Sequence, residues 1–313
     1  MKKEFSFLSA NDKTQIHGIL WIPDGEVRGV VQLVHGMVEH IGRYEEFAGF
    51  LNQQGFAVIG HDHLGHGLSI CSEEDYGFFS DKMGQVALLK DIHRVTKMAK
   101  ARYPKLPLFV LGHSMGSFLL RRYLTIYGSE IDGAIIMATG YEPLWAVRFG
   151  KVLAKILMLA RGGHYRSKLV NGLSLGGYVA KFGNHRRPGS WLSKNEENVK
   201  AYKADPHCHF VFSVSAYYDF FCILEDLARR KNFERIPRNL PLFLVSGMDD
   251  ALGGFTKHVL HVYNEYREIG MEDVEIQLYK DDRHEILNEL DRNNVYEDIR
   301  AWLENHMEAK RGR

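Results

Sequence analysis

The pentapeptide Gly112-His113-Ser114-Met115-Gly116 places a serine two residues from a glycine on either side. A serine hydroxyl is a poor nucleophile at neutral pH. It becomes a useful one beside a base that an acid orients. Candidates for both lie further along the chain. Ser246-Gly247-Met248-Asp249-Asp250 offers two adjacent carboxylates, and Lys280-Asp281-Asp282-Arg283-His284 offers an imidazole. Such a set attacks a carbonyl carbon, so donors for the resulting oxyanion are needed as well. One is the amide of Met115, directly after the serine. The second is expected from the segment after His35-Gly36, at Met37.

Taken alone, G-x-S-x-G is a weak signal, and its flanks carry most of the weight. Leu108-Phe109-Val110-Leu111 is a short apolar run, and Ser117 to Leu124 has helical spacing. Strand, sharp turn and helix form the context in which a serine hydroxyl stands clear of a strand end. The acid and base candidates also follow apolar runs, at Leu242-Phe243-Leu244-Val245 and at 274–279. Sixteen histidines make a chance base easy to find, so location counts for more than type. His258, His261 and His306 fall inside helical segments, whereas His284 follows a strand. Spacing alone leaves Asp249 and Asp250 as equal candidates for the acid.

Segments 4–8 and 14–22 read as antiparallel strands around the turn at 9–13. Val30 to Val34 reads as a strand buried on both faces. A helix at about 43–54, a strand at 56–59, a long helix over 82–102 and a strand at 133–137 follow. This alternation predicts an α/β fold with a parallel sheet and helices on both faces. The rhythm breaks near Gly140. Residues 141–210 hold helical pieces, glycine pairs at 162–163 and 176–177, and a polar stretch at Asn184-His185-Arg186-Arg187-Pro188. Alternation then resumes with a helix from Ser215, the strand at 242–245, a helix at 255–269, the strand at 274–279 and a helix at 294–308. The division expected is a core of 1–139 with 211–313 and a cap of 140–210 over the strand ends, where open parallel sheets bind ligands.

A formal net charge of +1 gives no reason to expect a nucleic-acid partner. Cys71, Cys208 and Cys222 are odd in number and share no metal-ligand spacing, so reduced thiols and a cytoplasmic setting are expected. No apolar run approaches the ~18 residues of a membrane span, and the amino terminus lacks the apolar stretch of a signal peptide. His61, His63 and His66 cluster, yet nothing supplies further ligands at metal spacing, and no cofactor is expected. Charge is distributed unevenly. Residues 140–210 carry twelve Lys or Arg against four Asp or Glu. Within them Leu144 to Ala160 is largely apolar, with Arg148, Lys151 and Lys155 spaced for one helical face. That pattern suits peripheral contact of a basic cap with an anionic membrane surface.

Several longer patterns together resemble the α/β-hydrolase superfamily, in its monoacylglycerol lipase and lysophospholipase branch of serine aminopeptidase-type hydrolases. His35-Gly36-Met37-Val38-Glu39-His40 with Arg43-Tyr44 is similar to H-G-x-x-E-H-x-x-R-Y, and Asp62 to Ser69 to D-x-x-G-H-G-x-S. Gly112 to Gly116 matches G-H-S-M-G. Ala204-Asp205-Pro206 with Cys208 and Phe210 is similar to A-D-P-x-C-x-F, and Arg283 to Glu289 to R-H-E-x-L-N-E. The resemblance spans about residues 5 to 303 and implies a mostly parallel sheet of about eight strands with a helical cap. It favours Asp250 as the acid, since Ser246 to Gly253 fits S-G-x-x-D-P-V-G, although Ala251 stands where proline is usual. The implied activity is ester hydrolysis of a single-chain lipid, monoacylglycerol or lysophospholipid, by Ser114, Asp250 and His284. Small-ester or thioester hydrolysis, aminopeptidase activity and a non-catalytic binding role are the alternatives. A cap short of acids argues against binding the ammonium of a peptide.

Overall fold

In a computed structural model, residues 1–176 and 189–311 are described. The stretch at 184–188 and the second glycine of the 176–177 pair lie outside the described residues.

Eight strands form one sheet in the order β1-β2-β4-β3-β5-β6-β7-β8. They are β1 Lys2–Leu8, β2 Gln15–Trp21, β3 Gly29–Val34, β4 Phe56–His61, β5 Leu108–His113, β6 Gly133–Met137, β7 Leu242–Gly247 and β8 Val274–Tyr279. β2 pairs antiparallel with both β1 and β4, and the remaining pairs are parallel. The central strands β3 to β7 are buried along their whole length, which explains their nearly unbroken apolar sequence.

Helices of more than two turns are α1 Glu45–Gln53, α2 Gly84–Arg102, α3 Met115–Tyr127, α4 Leu144–Arg161, α5 Glu196–Ala204, α6 Val214–Leu227, α7 Lys257–Glu268 and α8 Arg292–Arg311. Alternate strand residues feed two separate cores. Val30, Val34, Leu108, Val110, Ala134, Ile136, Leu242 and Leu244 meet α2, α3 and α7 on one face. Val31, Leu33, Phe109, Leu111, Ile135, Met137, Phe243 and Val245 meet α1 and α8 on the other. The period-2 alternation thus sends neighbouring residues into opposite layers.

Between β6 and β7 the described residues contain no strand. Here α4 lies along α6: Arg148 Nε and Lys151 Nζ reach Glu225 at 3.2 and 2.7 Å. The basic residues of α4 expected to face a lipid surface are therefore turned, at 148 and 151, toward a carboxylate of the neighbouring helix. What α4 leaves exposed includes a set of large apolar side chains, Trp145, Phe149, Val152, Ile156 and Leu159, alongside the basic Arg148, Lys155 and Arg161. Glu225 is held at a pKa of about 2, chiefly by its hydrogen bond from Lys151.

Candidate active site

Ser114 sits between β5 and α3 with φ 52° and ψ −121°, a conformation L residues seldom adopt. The turn survives because its neighbours make room. A β-carbon on Gly116 would strike the carbonyl oxygens of Val34 and His35, so α3 can pass β3 this closely only with glycine there. The strain lifts the Ser114 side chain out of the strand line, and its Oγ lies 2.8 Å from His284 Nε2.

His284 follows β8 and is almost wholly buried. Its Nδ1 lies 3.0 Å from Asp250 Oδ2, in the loop after β7. The other Asp250 oxygen accepts from the Leu252 amide at 2.9 Å, so the carboxylate is fixed at both oxygens. Asp249, the competing carboxylate, is exposed and its amide donates to the Asp282 carbonyl at 2.8 Å. The adjacent Ala251 is fully buried. Hydroxyl, imidazole and carboxylate therefore form one hydrogen-bonded line from Ser114 through His284 to Asp250.

Met37 and Met115 both border the space in front of Ser114. Met115 is the first residue of α3, where an amide precedes the first intrahelical bond. The loop bearing Met37 is held close: a β-carbon on Gly36 would lie 2.5 Å from Glu39 Oε1 and 3.0 Å from Ser114 Cβ.

Behind this line runs a buried ionic network that spacing gave no reason to expect. Glu39 Oε1 accepts from the Gly36 amide at 2.5 Å and from Tyr44 Oη at 3.1 Å. Arg43 donates to both Glu285 oxygens at 2.8 Å and to Glu39 Oε2 at 3.2 Å. Asn198, on α5, donates to Glu285 at 2.7 Å. Burial opposes the charge of Glu39, yet His113 and Arg43 hold its pKa down at about 2. Burial likewise opposes the charge of Glu285, and Arg43 pulls its pKa below the usual carboxylate range. The sequence signals were two family-like patterns, one holding Glu39 and Arg43 at i and i+4 and one holding Glu285, and neither tells that the two meet.

The segment after the undescribed stretch closes over the histidine. Trp191 lies with its ring 5.2 Å from that of His284. Glu289 ties this segment to the base loop by accepting from Ser193 Oγ at 2.8 Å and from the Arg283 amide at 3.0 Å.

In front of Ser114 opens a cavity of about 340 Å³. Phe118 on α3, Trp145, Val147 and Phe149 on α4, and Phe220, Phe221 and Leu224 on α6 line it, with Leu252 behind the acid. Trp145 and Phe149 also belong to the exposed face of α4, so the cavity's apolar wall continues onto the surface.

His61, His63 and His66 are fully buried; the His35 ring packs on those of His63 and His66 at 4.2 and 5.2 Å, and His61 packs on His63. Burial lowers the pKa of His61 and His66 to about 4. Among the described residues, the side chains grouped closely enough to share an ion are His40, Asp205 and Cys208, and Asp273, Glu275 and His306. His40 Nε2 and Asp205 Oδ2 already meet at 2.7 Å, which joins the loop after β3 to the end of α5. The three cysteines are free thiols. No helix among the described residues is long and apolar enough to cross a membrane.

Residues 25–291 match the family described as serine aminopeptidase, S33. The chain belongs to the S33 family. Over 312 residues, 98% of each chain, it is 27% identical to a monoacylglycerol lipase of Mycolicibacterium smegmatis. Over 289 residues, 90% of this chain and 84% of the relative, it is 28% identical to the monoglyceride lipase of Rattus norvegicus. Among solved structures, a thermostable carboxyl esterase from Bacillus coagulans in complex with glycerol superposes with a TM-score of 0.91 at 28% identity, covering 98% of this chain and 99% of that one. This S33 member has the α/β-hydrolase fold, with its eight-stranded, mostly parallel sheet and flanking helices.

Proposed function

We propose that this S33 hydrolase cleaves the ester bond of monoacylglycerols, with Ser114 as nucleophile, His284 as general base and acid, and Asp250 as the orienting carboxylate. The observation that carries the reading is the apolar cavity opening directly on Ser114. It suits one acyl chain, and the relatives described as monoacylglycerol and monoglyceride lipases support that substrate class. The glycerol held by the Bacillus coagulans esterase is the alcohol such an ester releases.

In this mechanism His284 Nε2 takes the Ser114 proton as Oγ attacks the ester carbonyl. The amides of Met37 and Met115 bind the oxyanion, and Asp250 steadies the imidazolium. Glycerol leaves with the proton from His284, and water then attacks the acyl-enzyme by the same route. No metal or organic cofactor enters these steps. An aminopeptidase site would need carboxylates for a substrate ammonium, and Glu142 is the one carboxylate among the described residues lining the cavity.

The exposed apolar face of α4 is a membrane-contact surface in this reading. Trp145 and Phe149 belong both to that face and to the cavity wall, so an acyl chain can pass from bilayer to site with little exposure to water. Each methylene kept out of water is worth about 0.8 kcal/mol. The deciding experiment is a panel of esters at one pH: monoacylglycerols of increasing chain length, lysophospholipids, acetate esters, acyl thioesters and an aminoacyl arylamide. Monoacylglycerols should give the highest kcat/KM, and a faster arylamide would overturn the reading.

A further inference from the structure

His113 is buried immediately before the nucleophile, and both of its ring nitrogens face acceptors. Nδ1 lies 2.8 Å from Glu39 Oε1, and Nε2 lies 3.3 Å from the main-chain carbonyl of His284. A neutral imidazole carries one N–H and can serve only one of these, whereas the cation serves both. We propose that His113 is a positioning residue, held as an imidazolium that bridges the Glu39 carboxylate to the His284 carbonyl and so locks the oxyanion loop to the base loop across the nucleophile. This inference rests on the roles proposed above for Ser114 and His284.

The surroundings support a cation. From the loop and turn after β3, Glu39 contacts His113 directly, and the Tyr44 ring lies 6.5 Å away. From the base loop come the carboxylate of Glu285, whose field favours the charge, and the ring of His284 at 4.9 Å. Arg43 stands behind, engaged by Glu285 and Glu39. Burial works against a charged His113, but the attraction and hydrogen bond of Glu39 outweigh it, and the pKa is raised above the ordinary histidine value. Truncating a buried pair of this kind leaves an uncompensated charge, so each partner holds the other in its ionised form.

The geometric consequence is specific. Glu39 fixes the Gly36 amide, one residue before Met37. His113 is the chain neighbour of Ser114, and His284 supplies the base. Three peptides that must agree within a fraction of an ångström are thus tied to one ion pair. Loss of the His113 proton would leave a bare nitrogen facing a carbonyl oxygen and loosen the base loop. Because the pKa is raised, the tie holds below it and fails as pH rises through it.

The test uses the intact protein with nitrogen-15 in its histidines. At about pH 7, where an unperturbed imidazole is already mostly neutral, nitrogen NMR should find both ring nitrogens of His113 protonated. A bare nitrogen there would overturn the proposal, whether or not any variant folds. His113→Gln should lower kcat by about 100-fold with KM little changed, and should abolish an alkaline fall in kcat present in the unmodified protein. A variant with the parent kcat and the parent pH profile would also overturn it. Ser114→Ala, measured alongside, separates the two levels. Turnover surviving in that variant would remove the assigned nucleophile, while the protonation state of His113 is read independently of turnover.

Discussion

The imidazole of His284 and the carboxylate of Asp250 lie 3.0 Å apart, whereas Asp249, one residue earlier, is exposed. Two chemically identical side chains thus have different environments because the turn after β7 sends them to opposite sides. Asp250→Asn should lower kcat by about 10⁴-fold by presenting the wrong donor–acceptor pattern to His284. Asp249→Asn should stay within a few-fold of the parent protein. Steady-state ester kinetics on the two variants check this, and the opposite ranking would reassign the acid.

Ser114→Ala removes the hydroxyl whose Oγ stands 2.8 Å from His284 and nothing else. Ester turnover should fall by at least about 10³-fold. The strained φ of 52° is tolerated no worse by alanine than by serine, so the melting temperature should change little. Activity assays with thermal unfolding by circular dichroism read the two quantities separately.

The buried network predicts how the protein responds to acid. Glu39 has a folded pKa of about 2 against an ordinary value of 4.5. A depressed pKa means the unfolded chain binds the proton first, so the stabilisation is complete above about 4.5 and is lost as pH falls toward about 2. Unfolding free energy should decline through that window, and Glu39→Gln should flatten the decline. Arg43→Met leaves Glu285 buried without its cation, while Glu39 keeps His113, and should cost about 3–5 kcal/mol. Urea titrations at several pH values measure both.

Cavity depth should set chain-length preference. Leu224 lines the cavity from α6 and is itself nearly buried. Leu224→Trp adds bulk to that wall and should shift the optimum toward shorter acyl chains. KM for long-chain monoacylglycerol should rise about tenfold, while short-chain esters are hydrolysed at close to the parent rate. Binding differences of this size match the ~1–3 kcal/mol attached to one or two methylenes in an apolar pocket.

Membrane contact should be carried by apolar side chains more than by charge. Trp145 is 75% exposed and Leu159 76% exposed on α4, while Arg148 and Lys151 are engaged by Glu225. Replacing Trp145, Ile156 and Leu159 by Ser should reduce co-sedimentation with phosphatidylcholine vesicles several-fold. The parent protein's binding should persist at about 0.5 M salt, where surface attractions are screened within a few ångströms. Binding that vanishes with salt would shift the contact back to the basic residues.

The sheet was legible because buried parallel strands leave almost no freedom in residue type. Val30 to Val34 and Leu242 to Val245 could hardly be read otherwise. Ser114 and His284 were also legible, since topology allows few positions for each. Choosing Asp250 over Asp249 was not, because the decision lies in backbone torsions that adjacent identical residues do not reveal; the family pattern supplied it. The Glu39, Arg43 and Glu285 network was missed for a different reason. Charged residues normally belong to the surface, and only the three-dimensional partner shows when they do not. Helical spacing put Arg148 and Lys151 on one face of α4, but could not say that Glu225 of α6 would engage them.

Arg43 and Glu285 are separated by 242 residues, yet their bidentate bond braces both the oxyanion loop and the base loop. Arg43 has a local partner in Glu39, but its bidentate bond to Glu285 forms only once β7 and β8 are in place. A nascent or carboxy-terminally truncated polypeptide would hold the nucleophile without the brace. Any segment that ends before 285 therefore lacks the tie between these two loops, however completely its first five strands have formed.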